Sequence, residues 1–266
     1  MKSLQNLSCR LAFGRHIPGF RALNRLLYRR DVPGLERHLA GLSFRNPVGL
    51  AAGFDREAKL VDPWSDLGFS YVGVRIDSGN IRTAVQRLQY RDSDTLVAAE
   101  LRPFSQSEDE IRKEIVRSFS FLYDFVDLFI VHISGTAGMS YLDDVTGLGE
   151  ILDELLSLRL CYGQEKPIIV RLDSYLSASQ IEPTLDYCLL SGIDGIALSG
   201  LDMARKVIDY THGRLPVIGC GAFSTPEEAI AMLQAGATLI ELEGAFLKPS
   251  KIISLLHDQG FHLHDR

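Results

Sequence analysis

Short apolar runs rich in β-branched residues alternate along the chain with longer segments in which apolar residues recur every three to four positions. The runs predict eight strands, at 48–53, 69–76, 96–101, 128–134, 168–173, 195–199, 216–219 and 238–242. The longer segments predict helices at 56–67, 107–123, 147–161, 178–191, 202–211, 225–235 and 246–258. Eight strands alternating with helices indicate a (β/α)8 TIM barrel, an α/β fold.

Two short amphipathic segments precede the first strand. Apolar residues recur at helical spacing in each, as Leu4, Leu7 and Leu11 and then as Phe20, Leu23 and Leu27. Breaks at 14 and 18–19 predict a pair of short helices, so we divide the chain into a helical extension, 1–38, and a barrel, 39–266. The extension either lies on a membrane surface with its arginines facing lipid headgroups or packs on the barrel as a solvated helical pair.

Charge is distributed unevenly. The net charge is −6, yet residues 1–30 carry seven basic side chains and no acidic one. The acidic remainder is a poor surface for nucleic acid, so no nucleic-acid partner is expected. Charge-free stretches are too short or too rich in Gly and Ser to span a bilayer. The prediction is a cytoplasmic protein, with peripheral attachment to the inner face of the cell membrane through residues 1–30 as an alternative.

The cysteines and histidines predict no metal site. Cys9, Cys161, Cys188 and Cys220 lie far apart without a C-x-x-C pair, which indicates neither a zinc site nor a disulfide framework.

A doubly wound open sheet would fit the same alternation of elements, but no G-x-G-x-x-G follows the first strand. Glycine turns at 219–221 and 243–245 favour the barrel, because these are the places where such barrels bind phosphate through backbone amides.

The segment Gly-Leu-Ser-Phe-Arg-Asn-Pro-Val-Gly-Leu-Ala-Ala-Gly-Phe-Asp-Arg, at 41–56, resembles the first strand of dihydroorotate dehydrogenases of the quinone-dependent, membrane-associated branch. Further matches lie at 67–69, 167–172, 192–196, 213–221 and 235–239. The resemblance implies FMN at the carboxyl ends of the strands and a dihydroorotate-like anion stacked on the flavin. It also implies hydride transfer to FMN, reoxidation by quinone and an ancestry in pyrimidine biosynthesis.

The same resemblance implies a set of site residues. Arg56 stands where the family has a substrate-binding Lys, and Arg171 where it has a flavin-facing Lys. The implied FMN contacts are Ala51, Ala52, Gly53, Arg171, Gly219, Gly221, Ala222, Gly244 and Ala245. We expect glycine in the 219–221 turn because a Cβ would block the approach of an anion.

The chain departs from the family where the chemistry is carried out. The family's catalytic-base motif is replaced at 132–138 by His-Ile-Ser-Gly-Thr-Ala-Gly, which puts Gly135 at the position of the base. Ser134 or Thr136 could act only if the loop shifted by one residue, since a general base must reach the proton that it removes. Other replacements introduce charge, as Arg75, Glu100, His132 and Glu243.

Charged residues at the strand ends predict an ion-pair network in the place of the cofactor. Its predicted members are Arg75, Asp77, Glu100, Arg171 and Asp173, since buried charges are tolerated mainly in pairs. Three hypotheses follow: a divergent paralogue with impaired or lost FMN binding and catalysis, an active FMN-dependent dihydroorotate dehydrogenase that uses quinone, or a non-redox barrel that binds a phosphate ligand.

Overall fold

The computed structural model describes residues 19–29, 31–77, 79–103, 107–132, 145–173, 176–243 and 248–260. Eight parallel strands close into a barrel in the order β10-β3-β4-β5-β6-β7-β8-β9. These strands are β3 (Val48–Leu50), β4 (Tyr71–Ile76), β5 (Leu96–Leu101), β6 (Leu128–Val131), β7 (Ile168–Leu172), β8 (Gly195–Ser199), β9 (Val217–Gly221) and β10 (Leu239–Leu242). The predicted TIM barrel is therefore confirmed.

Helices follow the strands around the outside of the barrel. They are α2 (Val61–Asp66), α3 (Ile81–Gln89), α4 (Glu108–Leu122), α5 (Val145–Cys161), α6 (Ala178–Ser191), α7 (Leu201–Thr211), α8 (Pro226–Gln234) and α9 (Pro249–Asp258). Helix α1 (Phe20–Tyr28) precedes the barrel, as its apolar spacing predicts, whereas the first predicted helix lies outside the described residues. No helix in the described ranges is long and apolar enough to cross a membrane.

Two local predictions were wrong. The first barrel strand ends at Leu50 and is followed by a turn of 3-10 helix, Ala52–Phe54, instead of continuing to residue 53. An unpredicted antiparallel hairpin pairs β1 (Arg37–Leu39) with β2 (Leu42–Phe44). Three-residue strands give too short an alternation for a reliable prediction from sequence. The boundary predicted between residues 38 and 39 falls inside β1.

The barrel interior has an apolar floor. Buried side chains of the hairpin, Leu39 and Phe44, pack with inward-facing residues of the strands, including Tyr71 and Leu239. The Tyr71 ring lies against Gly49 on the neighbouring strand, and a Cβ built on Gly49 would stand 2.0 Å from Cε1 of the tyrosine. Gly49 therefore leaves the space that the ring fills, which carries the phenol into the middle of the lumen.

Replacing Gly49 by alanine should destabilise the barrel, because the fully buried Tyr71 ring has no open space into which it can move. We expect Gly49→Ala to lower the free energy of unfolding by about 2 kcal/mol in urea denaturation. Gly53→Ala is the matched control, since nothing lies within 4 Å of its added Cβ. Adding Tyr71→Leu to Gly49→Ala should cost less than the sum of the two single changes; a fully stable Gly49→Ala variant would contradict this packing.

Candidate functional site

Charged side chains fill the lumen above the apolar floor, toward the carboxyl ends of the strands, which we call the barrel mouth. Alternate residues of a strand face the same side, so Arg75 lies on the same face of β4 as Tyr71. By the same alternation, Glu241 on β10 and Arg171 on β7 project into the lumen. Arg171, Glu100 and Glu241 are at most 8 % exposed.

Arg171 spans the lumen and is the centre of the cluster. Its Nη2 donates to Glu241 on β10, three strands away around the barrel, and its Nη1 lies 3.3 Å from Oε1 of Glu243. Its Nε lies 3.9 Å from Oε2 of Glu100. One buried guanidinium is thus shared among three carboxylates on two sides of the barrel.

Glu100 joins the cations of three strands. Arg75 places Nη2 at 2.9 Å and Nε at 3.1 Å from the same Glu100 oxygen, and Nδ1 of His132 lies 3.6 Å away. Burial alone would raise the pKa of Glu100, but the contacts with His132, Arg171 and Arg75 outweigh it and hold the pKa at about 2. Glu100 is therefore ionised in the folded protein at neutral pH.

His132 bridges two carboxylates at the end of β6. Its Nε2 lies 3.1 Å from Oδ1 of Asp173, and its Nδ1 faces Glu100 beyond hydrogen-bonding distance. Burial lowers the pKa of His132, but Asp173 and Glu100 more than compensate, so its pKa lies above the ordinary value. The two acidic neighbours therefore favour the protonated form of His132.

The lower end of the cluster is fully buried. The Tyr71 hydroxyl donates to Oε2 of Glu241 over 3.2 Å, and burial followed by the Glu241 charge raises the pKa of this phenol well above its usual range. Burial likewise raises the pKa of the Cys220 thiol. The donor atoms of Cys220, Glu241 and Glu243 lie within 4.8 Å of one another, but the Arg171 guanidinium bonds both carboxylates, which leaves this group unsuited to a metal ion.

The predicted network is confirmed for four of its five residues. Arg75 and Arg171 both contact Glu100, and Asp173 joins them through His132. The assignment of Asp77 to the network was wrong. Its carboxylate instead accepts hydrogen bonds from the amides of Gly79 and Asn80, just before α3 begins. The roles of His132, Glu241 and Glu243 as members were missed, although the alternation of residues on β10 places both glutamates on the inner face.

The implied FMN contacts Gly219 and Gly221 lie in the last part of β9, where each makes a packing contact. A Cβ on Gly219 would lie 2.2 Å from Cγ of Met232 on α8, so this glycine admits a helix side chain and faces away from the mouth. A Cβ on Gly221 would meet the Phe223 ring at 3.3 Å. The carbonyl of Gly221 accepts a hydrogen bond from the amide of Glu243 at 2.9 Å. Both glycines therefore have a packing role, and their contact with FMN stays a prediction.

The remaining implied residues are only partly brought together. Ala51 and Ala52 are buried beside β4, whereas Gly53, Arg56 and Ala222 are exposed. The carboxylate of Asp55 fixes this loop by accepting from the amides of Lys59 and Leu60, each at 2.7 Å. Ser134, Gly135, Thr136, Gly244 and Ala245 lie outside the described residues.

Removing the carboxylate of Glu100 should strongly destabilise the fold. Glu100→Gln leaves Arg75, Arg171 and His132 without their shared anion, and we expect a loss of about 3 kcal/mol in the free energy of unfolding at pH 7. The pKa of Glu100 falls from an ordinary 4.5 to about 2 on folding, so its contribution is present above pH 4.5 and is lost as the pH falls toward 2.

Denaturant titrations from pH 7 to pH 3 measure this contribution, and the difference between wild type and Glu100→Gln should shrink as the solution is acidified. Glu154→Gln removes a carboxylate from an exposed pair with Arg112 and should leave stability nearly unchanged. Equal stabilities of wild type and Glu100→Gln at pH 7 would mean that the network contributes nothing.

The chain resembles known proteins along most of its length. No family model matches it. The quinone-dependent dihydroorotate dehydrogenase of Salinispora arenicola is 30% identical, over 90% of this chain and 87% of that protein. The mitochondrial dihydroorotate dehydrogenase (quinone) of Mus musculus is 28% identical over 88% of this chain and 79% of its own length.

The solved structures show the same fold. The ligand-free DHODH of Eimeria tenella superposes with a TM-score of 0.82 at 17% identity, covering 97% of this chain and 95% of that one. The sequence match to the Salinispora enzyme, 30% identity over 90% of this chain, identifies the family. The chain is therefore a divergent member of the quinone-dependent dihydroorotate dehydrogenase family.

Proposed function

We propose that this chain is a paralogue of dihydroorotate dehydrogenase in which an ion-pair network has replaced FMN, so that the barrel no longer oxidises dihydroorotate. The observation that carries the proposal is the position of Arg171, whose guanidinium crosses the lumen to Glu241 and Glu243 and lies beside Glu100. In this family the flavin would lie over the same mouth. A ring system placed there would have to displace a buried cation from three carboxylates, which is costly.

The phosphate end of FMN also fits poorly. Barrels of this kind bind phosphate with backbone amides after the last two strands, but here the Glu243 amide already donates to Gly221 and the Phe223 ring covers that glycine. Burial raises the pKa of Glu243, and the charges of Glu241 and Glu100 raise it further, whereas Arg171 lowers it. A phosphate dianion would add negative charge to a region whose carboxylates already repel one another.

The position that holds the family's catalytic base is Gly135 in this chain, which carries no side-chain group that could accept a proton. Oxidation of dihydroorotate requires a group that accepts the C5 proton within hydrogen-bonding reach. His132 follows β6 next to the family's base motif, and although burial lowers its pKa, the contacts with Asp173 and Glu100 raise the pKa above the ordinary value. A raised pKa favours the protonated imidazole, which cannot accept the C5 proton.

The second candidate is an active FMN-dependent dihydroorotate dehydrogenase that uses quinone. The retained first-strand segment favours it, because Gly53 leaves open space at the mouth and the exposed Arg56 could hold an anionic substrate. Ser134 or Thr136 would then carry the proton. The third hypothesis, a phosphate-binding barrel, loses its main support because packing accounts for the Gly219 and Gly221 turn.

Visible absorption of the purified protein separates the first two candidates. After incubation with excess FMN and removal of the unbound fraction, we expect no flavin absorbance and an unchanged melting temperature. A ligand that binds only the folded state stabilises it by about 2.7 kcal/mol at one hundred times its Kd, so binding would be visible as a rise in melting temperature. Stoichiometric retention of FMN, with formation of orotate from dihydroorotate in the presence of a quinone, would overturn the proposal.

We also propose that residues 1–30 contact a membrane surface. Supporting this, α1 exposes Leu23, Leu26 and Leu27, with Leu26 82 % exposed. Deleting residues 1–30 should abolish co-sedimentation with anionic liposomes, and replacing Leu23, Leu26 and Leu27 together by serine should weaken it without changing charge. Undiminished binding by both variants would refute a membrane role for this segment.

A further inference from the structure

Helix α1 lies on the barrel with its polar side inward. Three arginines spaced four residues apart, Arg21, Arg25 and Arg29, face carboxylates of the barrel. Leucines on the other side, Leu23 and Leu27, are each 53 % exposed. An amphipathic helix of a soluble domain normally buries its apolar stripe against the core, so this arrangement is the reverse of the usual one.

The first half of α1 is held by one buried aspartate. Asp66, at the end of α2, has a fully buried side chain that accepts from Nε of Arg21 at 2.7 Å and from Nη2 of Arg25 at 2.9 Å. Arg21 also approaches Asp92 at 3.4 Å and Asp62 at 3.8 Å. The side-chain hydrogen bond to Asp66 is the largest cause that raises the pKa of Arg21. Two turns of the helix thus depend on the same carboxylate.

The last turn of α1 is held in the same manner. Arg29 forms a two-point contact with Asp94, at 2.9 Å and 3.1 Å, and Arg45 approaches the same aspartate at 3.6 Å. The hydrogen bond from Arg29 lowers the pKa of Asp94 despite the opposing effect of burial. Apolar packing is limited to partly buried Phe20 and Tyr28, and Lys248 Nζ lies 4.1 Å from the Tyr28 ring centroid.

We propose that α1 is a latch, meaning a helix that is held on the barrel mainly by ion pairs. It detaches from α2 and from the loop at 92–94 without unfolding of the barrel. Asn24, at 9 % exposure, is the most buried residue of α1, so few apolar contacts resist separation. Asp66 regains water when the helix leaves, which offsets part of the lost attraction, whereas the side chains of Asp92 and Asp94 are already mostly exposed. The barrel keeps its own core, because Trp64 of α2 packs against the buried Phe69 ring.

Detachment of the latch unfolds its helix. Helix α1 has nine residues and begins at Gly19 without a side-chain cap. Isolated helices shorter than about 12 residues are marginal in water, so the detached segment loses its amide hydrogen bonds. Most of its ion pairs are partly exposed, and screening by salt weakens such pairs far more than it weakens buried ones. Added salt therefore shifts the equilibrium toward detachment mainly through the pairs with Asp62, Asp92 and Asp94, and less through the pairs with buried Asp66.

Hydrogen exchange of the full-length protein, followed by mass spectrometry, tests the latch. Between about 0.05 M and 1 M NaCl, we expect exchange of the amides of α1 to rise at least tenfold, because the Debye length falls from about 14 Å to about 3 Å. Peptides from the buried strands β5 and β8 should change less than twofold. Faster exchange in these strands together with α1 would mean global unfolding and would overturn the proposal.

Single substitutions on α1 distinguish the contribution of its inward arginines from that of its outward leucines. Arg25→Gln and Arg29→Gln should each accelerate exchange of α1 at low salt and reduce its remaining salt dependence. Leu26→Ser is the matched control, since this outward side chain makes no contact that holds the helix, and exchange should stay as in wild type. Arginine variants that exchange like wild type, or salt-independent exchange of α1, would show that apolar contacts hold the helix. Neither result depends on whether the barrel binds FMN.

Discussion

A guanidinium buried in the lumen of the barrel imposes the arrangement of the mouth. The side chain of Arg171 is 8 % exposed, and a cation so far from water is stable only beside compensating charge. Glu241, Glu243 and Glu100 supply that charge from two sides of the barrel. Glu100 is itself buried and has two further basic neighbours, Arg75 and His132.

Small residues make this cluster possible. Gly49 admits the Tyr71 ring, which carries its hydroxyl to the far oxygen of Glu241 and closes the cluster from below. Gly219 admits Met232 from α8 and lets that helix approach β9. In both places glycine accommodates a side chain of the protein itself.

Family membership and site chemistry rest on different parts of the chain. The strands and outer helices form the wall of the barrel, and this fold is the one found in dihydroorotate dehydrogenase structures. The departures, including Arg75, Glu100, His132 and Glu243, are grouped on its inner face near the mouth. A barrel keeps its fold while this inner layer changes, because the wall is stabilised by hydrogen bonds between strands and by contacts with the outer helices.

The sequence by itself determined the barrel, since hydrophobic periodicity sets the order of strands and helices and a closed sheet of eight parallel strands satisfies that order. It also indicated that Arg75, Glu100 and Arg171 gather, because strand ends converge at one face. Only the tertiary structure decided that Arg171 reaches across to Glu241, that Gly219 and Gly221 serve packing, and that α1 turns its arginines inward. These outcomes depend on side-chain directions and, for Arg171 and the arginines of α1, on partners more than forty residues away, which local patterns of polarity do not encode.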